Sequence, residues 1–183
     1  MSHKVARRRP WRSPLAVGFA IGLAAVHLRK VLAQGVSAVA GPWDQVLAAE
    51  HKVVMTLLDK AIEAPRGARL KKKLLFAKIE WGLSKHAYAE ETVVYPALRA
   101  LGQGEDKALF DDHAEIKILL AALRDRPADD QRWVEDARAL KAILEAHMAE
   151  EEAKVFPRLR EALPDAENAR LTALLNAQSM RLA

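Results

Sequence analysis

The chain repeats itself, and no other feature limits its fold as strongly. AEHKVVMTLLDKAIEAP (Ala49–Pro65) aligns without gaps to DDHAEIKILLAALRDRP (Asp111–Pro127), 62 residues later. HAYAEETVVYPALR (His86–Arg99) aligns in the same way to HMAEEEAKVFPRLR (His147–Arg160), 61 residues later. One gap reconciles the two offsets. A fixed internal period means one supersecondary unit used twice. Each copy reads as a shorter helix, a turn at Pro65 or Pro127, and a longer helix. The helices are expected near 43–64, 68–101, 105–126 and 130–162, with Gly102 and Gly104 in the middle turn. Short connections make neighbouring helices antiparallel. The expected fold class is therefore all-α, an up-down-up-down four-helix bundle built from a duplicated helical hairpin. Pro96 and Pro157 fall inside the long helices and should kink or tighten them. Pro164 stops the fourth helix, and 165–181 reads as a fifth, amphipathic one.

The expected organisation is an N-terminal basic and apolar tail helix (1–41), the bundle (42–163) and a C-terminal helix (164–183). Gly41-Pro42 marks the first boundary. The formal charge of +5 belongs to the tail. Residues 1–30 hold seven of the 29 basic residues and no acid, which leaves 22 basic against 24 acidic residues for the rest. The body is thus no basic nucleic-acid-binding surface. The tail's apolar run, Leu15–Val26, is shorter than the roughly 20 residues a spanning helix needs. It reads either as a helix resting on the protein or as a membrane-surface or signal-anchor helix with basic flanks, so residues 1–34 are a candidate membrane contact. The expected location is the cytoplasm. The chain has no cysteine, which excludes disulfides, iron–sulfur clusters, thiolate zinc sites and cysteine nucleophiles.

Helical spacing puts His51, His86, His113 and His147 on apolar, inward stripes. Around His51 the same face carries Leu47, Val54, Met55 and Leu58, and around His147 it carries Leu140, Ile143, Leu144 and Val155. One histidine on such a stripe is usually a satisfied core residue. Here that reading must hold four times, at matched positions of two copies, and must also account for carboxylates. Glu90 follows His86 by four residues and Glu151 follows His147 by four, so each pair shares a face. A buried carboxylate without a partner costs several kcal/mol or becomes protonated. A divalent metal removes that cost. The duplication then predicts one metal on His51 and His86, a second on His113 and His147, and Glu90 and Glu151 bridging both. Glu91 and Glu152 lie about 100° further round the helix, as surface residues or outer partners of the ligands. Mixed nitrogen and oxygen ligation with open positions suits two iron ions, with a bridging oxo or hydroxo, better than structural zinc; manganese or zinc could substitute. The apolar wall implies a small uncharged guest such as oxygen or nitric oxide.

These residues resemble the haemerythrin-like, or HHE cation-binding, family over roughly Trp43–Leu163. The motifs that carry the resemblance are Glu50-His51, His86-Ala-Tyr-Ala-Glu90-Glu91 running to Tyr95-Pro96, Asp112-His113, and His147-Met-Ala-Glu-Glu151-Glu152 running to Phe156-Pro157. The resemblance implies a four-helix bundle around a di-iron centre, with His51, His86, His113 and His147 as iron ligands and Glu90 and Glu151 as bridges. Oxygen-carrying haemerythrins place a further histidine one turn after the third, and a bridging aspartate five residues after the last. This chain has Lys117 and Glu152 there. The departure argues against simple reversible oxygen carriage and implies the bacterial branch, whose members sense or handle oxygen, nitric oxide, peroxide or iron. Lys117 either reaches out to water, the commoner outcome, or brings its ammonium to the open coordination position. The expected function is binding, sensing or detoxifying a small ligand, or handling iron. A di-iron peroxidase- or oxidase-type enzyme and a metal-independent helical interaction module are the alternatives. No substrate pocket is legible beyond the metal site, which favours a binding protein over an enzyme.

Overall fold

A computed structural model describes residues 41–102 and 106–182, and all of its regular elements are helical. The first hairpin is α1 (Trp43–Ile62) followed by a long rod made of α2 (Arg69–Ala89), π1 (Glu90–Val94) and α3 (Tyr95–Ala100). The second is α4 (Asp106–Asp125) followed by α5 (Gln131–Glu150), π2 (Glu151–Val155) and α6 (Phe156–Ala162). A last helix, α7 (Asp165–Leu182), packs on α1, α2 and π1. The expected tail helix, with its candidate membrane contact, lies outside the described residues apart from Gly41. Among the described residues no helix is long and apolar enough to cross a membrane.

Local chemistry explains the ends. Pro42 has no N–H to lose at a helix start, and its carbonyl accepts the N–H of Val46 at 3.1 Å. The N–H of Trp43 is taken by Thr172 Oγ1 of α7 at 3.1 Å, and its indole donates to Asn168 Oδ1 at 3.0 Å. The last helix thus caps the first. Asp130 caps α5 by accepting the N–H of Arg132 at 2.9 Å. Gly102 ends α3 with φ +76, a left-handed conformation that glycine adopts without penalty.

The two prolines have a different effect from the expected kink or tightening. Each is preceded by a widened π-turn of five residues, closed by the N–H of Tyr95 on the carbonyl of Glu90 and by that of Phe156 on the carbonyl of Glu151. Proline has no N–H to give and clashes with the carbonyl four residues back. One extra residue in the turn relieves both problems and re-aims the next stretch of helix. Both copies carry this bulge, and both begin it at the predicted bridging carboxylate.

Two apolar clusters fill the bundle. One holds Val54, Leu58, Ile79, Leu83, Ile116, Leu120, Leu140 and Leu144. The other holds Trp43, Leu47, Val93, Val94, Tyr95, Leu98, Val155, Phe156 and Leu159. The histidines and glutamates lie where α1, the α2–π1 junction, α4 and the α5–π2 junction meet.

Candidate metal centre

The structure brings all six sequence-predicted ligands together, and each is buried: the histidines at 2–4 % exposure, Glu90 and Glu151 at 0 %. They form two overlapping groups. His51, His86, Glu90 and Glu151 offer ligand atoms within 4.8 Å of one another, and so do His113, His147, Glu90 and Glu151. The facing imidazole nitrogens are 2.9 Å apart in the first group (His51 Nε2 to His86 Nε2) and 3.1 Å apart in the second (His113 Nε2 to His147 Nε2). Glu90 Oε1 lies 3.2 Å from His86 Nε2, and Glu90 Oε2 lies 3.4 Å from His113 Nε2. Glu151 Oε2 lies 3.4 Å from both His51 Nε2 and His147 Nε2.

Outside this ring each of these four histidines has a carboxylate on its other nitrogen. His51 Nδ1 meets Glu152 at 2.8 Å, His86 Nδ1 meets Glu50 at 3.1 Å, His113 Nδ1 meets Glu91 at 2.9 Å and His147 Nδ1 meets Asp112 at 3.2 Å. An acceptor on Nδ1 fixes the N–H there and turns the Nε2 lone pair inward. Glu91 and Glu152 are therefore partners of histidines in the other copy. Glu50 and Asp112 take the same role within their own copies, a role that helical spacing does not assign to them. Lys85, buried beside Glu50 at 2.8 Å, balances its charge.

Do these atoms suit metal ions? With each Nδ1 taken by an outer carboxylate, the Nε2 atoms of each pair face one another inside the ring. Two nitrogens each about 2.1 Å from one ion, at a right angle, would stand about 3 Å apart, which is what both pairs do. Four buried side-chain atoms among the described residues have no hydrogen-bond partner, and three of them are Glu90 Oε1, Glu90 Oε2 and Glu151 Oε2. Orphaned anionic oxygens in an apolar core are unfavourable unless a cation meets them. The donor set fits.

The electrostatics run the same way. Burial works to lower the pKa of His86, but the charge of Glu90 and the hydrogen bond to Glu50 outweigh it and hold it well above the usual imidazole value. His113 is raised for the same reasons, through Glu90 and Glu91. Burial works to raise the pKa of Glu90, and the imidazoles around it, His86 first, pull it far below the usual carboxylate range. The carboxylates thus attract positive charge to this point of the core.

Lys117 takes the commoner of the two courses expected of it. The ammonium of Lys117 bonds to Glu91 Oε1 at 2.6 Å on a side chain 55 % exposed, so it sits outside the ring and not at an open coordination position. Tyr95, absent from the expected site, enters it. Its hydroxyl donates to Glu151 Oε1 at 2.8 Å and lies 3.1 Å from His113 Nε2. Burial and the charges of Glu90 and Glu151 push its pKa far above the usual phenol value, so it remains a neutral donor. On the opposite side Phe156, the equivalent residue of the second copy, stacks on His51 with ring centroids 6.0 Å apart. A surface cavity of about 170 Å³, lined by Asp44, Gln45, Ala48, Glu152, Phe156 and Pro157, opens beside this half of the site.

Comparison with known proteins finds similarity over the same region of the chain. The family described as Hemerythrin HHE cation binding domain matches residues 44–159, which include all six residues and their four outer carboxylates. A crystal structure of a hemerythrin HHE cation binding domain-containing protein from Mycobacterium kansasii superposes with a TM-score of 0.69 at 26 % identity, over 78 % of this chain and 88 % of that one. A DNA nickase from Nostoc sp. is 33 % identical over 89 residues. That match takes in 48 % of this chain and 25 % of the relative, so the chain spans about a quarter of the nickase's length.

Proposed function

The chain belongs to the hemerythrin HHE cation-binding domain family, and on that premise we propose that it is a di-iron protein that binds a small uncharged molecule, such as oxygen, nitric oxide or peroxide, at the metal centre. The observation that carries this reading is the pair of overlapping donor groups that share Glu90 and Glu151. In each group two neutral imidazoles and carboxylate oxygens leave positions over, a donor set that suits iron better than the closed tetrahedron of structural zinc. Bound iron would supply Lewis acidity and a one-electron couple per ion.

The protein's own part is to hold and to exclude. Glu152, Glu50, Glu91 and Asp112 orient the imidazoles through Nδ1. Two shared carboxylates, each with charge −1, compensate a pair of dications better than neutral ligands alone. The clusters around Leu83, Ile116 and Leu144 on one side and Leu47, Val94 and Phe156 on the other exclude water. They favour a small apolar guest over a charged one. Lys117 in place of a fifth histidine leaves one fewer nitrogen ligand than an oxygen carrier has, which favours sensing or detoxification over simple carriage.

The test is anaerobic loading with ferrous iron, followed by ultraviolet–visible spectra under argon, under air and with nitric oxide. A new charge-transfer band under air or nitric oxide supports guest binding at the centre. Iron-loaded protein whose spectrum is the same under all three gases contradicts it.

A further inference from the structure

The duplication predicts two equal halves, and one pair of residues breaks the equality. Tyr95 and Phe156 occupy equivalent positions, and each ring lies against a histidine of the site: Tyr95 on His113 with centroids 5.3 Å apart, Phe156 on His51 at 6.0 Å. Only the first carries a hydroxyl, and that hydroxyl takes Glu151 Oε1. The carboxylates differ accordingly. Glu90 keeps both oxygens unpaired and turns Oε1 towards His86 and Oε2 towards His113, one for each histidine pair. Glu151 has one unpaired oxygen, Oε2, and it faces His51 and His147 at the same distance.

From this we infer that Tyr95 is a positioning residue that makes the two cation positions unequal: it holds Oε1 of Glu151, so that both histidine pairs share Oε2, and it sets a phenol oxygen beside the His113–His147 pair alone. The inference rests on the metal reading above. It comes from a simple count of acceptors. A buried phenol in this position must donate somewhere, and the bond to an ionised carboxylate is of the stronger, charge-assisted kind. The donated bond fixes the rotation of the Glu151 carboxylate and leaves a phenol oxygen beside the His113–His147 pair. The His51–His86 pair has a phenyl ring in the matching place. Two ions in these surroundings differ in the neighbouring ring, a phenol with its oxygen 3.1 Å from His113 on one side and a phenyl on the other.

Mössbauer spectroscopy of protein loaded anaerobically with ferrous iron-57 reads the inequality directly. The wild type is expected to give two quadrupole doublets of equal area. Tyr95→Phe removes the donor from one half, and Phe156→Tyr adds the matching donor beside His51 and Glu90. Each substitution makes the halves alike by an opposite route, so in each the two doublets should merge into one. Because the two variants are independent, failure of one to fold leaves the other as the test. A single doublet in the wild type, or two unchanged doublets in either folded variant, overturns the inference and leaves the metal reading standing. So does a visible phenolate-to-ferric band that Tyr95→Phe abolishes, since Tyr95 would then be a ligand. A wild type that retains no iron overturns the metal reading and this inference with it.

Discussion

Glu152 accepts a hydrogen bond from Nδ1 of His51 at 2.8 Å, across 101 residues and between the two copies of the repeat. Its counterpart Glu91 does the same for His113 at 2.9 Å. Each copy therefore orients a histidine of the other, and neither copy has a complete site alone. Outer carboxylates of this kind typically contribute ten- to a hundred-fold to metal affinity. Glu152→Gln and Glu91→Gln should each weaken iron binding by about that factor, read by competition with a chelating dye. Glu50→Gln should weaken it by about the same factor, because Glu50 meets Nδ1 of His86 at 3.1 Å. Unchanged affinity in all three would show that the outer carboxylates do not orient the ligands.

Metal affinity should fall as pH falls. Protons compete for the imidazole nitrogens that face inward, and every proton displaced makes binding pH-dependent. Burial alone would lower the pKa of His86, but Glu90 and Glu50 hold it well above the usual value, and His113 is raised by Glu90 and Glu91. The loss should therefore begin above the ordinary imidazole pKa of about 6.5 and deepen as pH drops. Glu90 stays ionised throughout, because its pKa is depressed. Anaerobic ferrous or cobaltous titrations at a series of pH values read the slope. A flat profile down through the imidazole range contradicts the assignment.

Lys117 should matter little. Its ammonium is half exposed on Glu91, and exposed ion pairs contribute roughly 0–1 kcal/mol. Lys117→Met should change metal affinity by less than about fivefold, equivalent to about 1 kcal/mol. A loss as large as that of Glu91→Gln would place the lysine in the centre after all.

Gly82 offers a change in stability away from the ligands. It is buried inside α2, and a Cβ added there would meet Val54 Cγ2 at 3.5 Å, an ordinary contact. Glycine in a helix interior costs about 0.8–1 kcal/mol relative to alanine. Gly82→Ala should raise the unfolding free energy by roughly that amount without altering metal content, as measured by denaturant unfolding of the metal-free chain. A destabilised variant would mean that the bundle has no room for the methyl group.

The repeat and the i, i+4 spacing of His86–Glu90 and His147–Glu151 make the bundle and the six convergent residues legible in the sequence alone. The outer carboxylates are less so. Glu91 and Glu152 serve histidines in the other copy, and no spacing along one helix encodes a contact between copies. Glu50 and Asp112 precede their own histidines by one residue and serve the next helix instead. Tyr95 is hidden for a geometric reason. It lies nine residues after His86, and at about 100° per residue a regular helix would set it about 180° away, on the opposite face. The π-turn absorbs one residue and swings Tyr95 back to about 80°, into the site. Pro96 is the available signal, and it marks a change of register instead of the expected kink. The aromatic-proline pairs Tyr95-Pro96 and Phe156-Pro157 mark the same bulge in both copies.

If two ions occupy the two donor groups that share Glu90 and Glu151, a metal count will show both. Wild-type protein loaded anaerobically with ferrous iron and freed of excess should retain two ions per chain. Glu90→Ala, which removes an oxygen from each group, should lower that number and weaken whatever remains. Retention of no iron by the wild type, or two tightly held ions in Glu90→Ala as in the wild type, would contradict the claim.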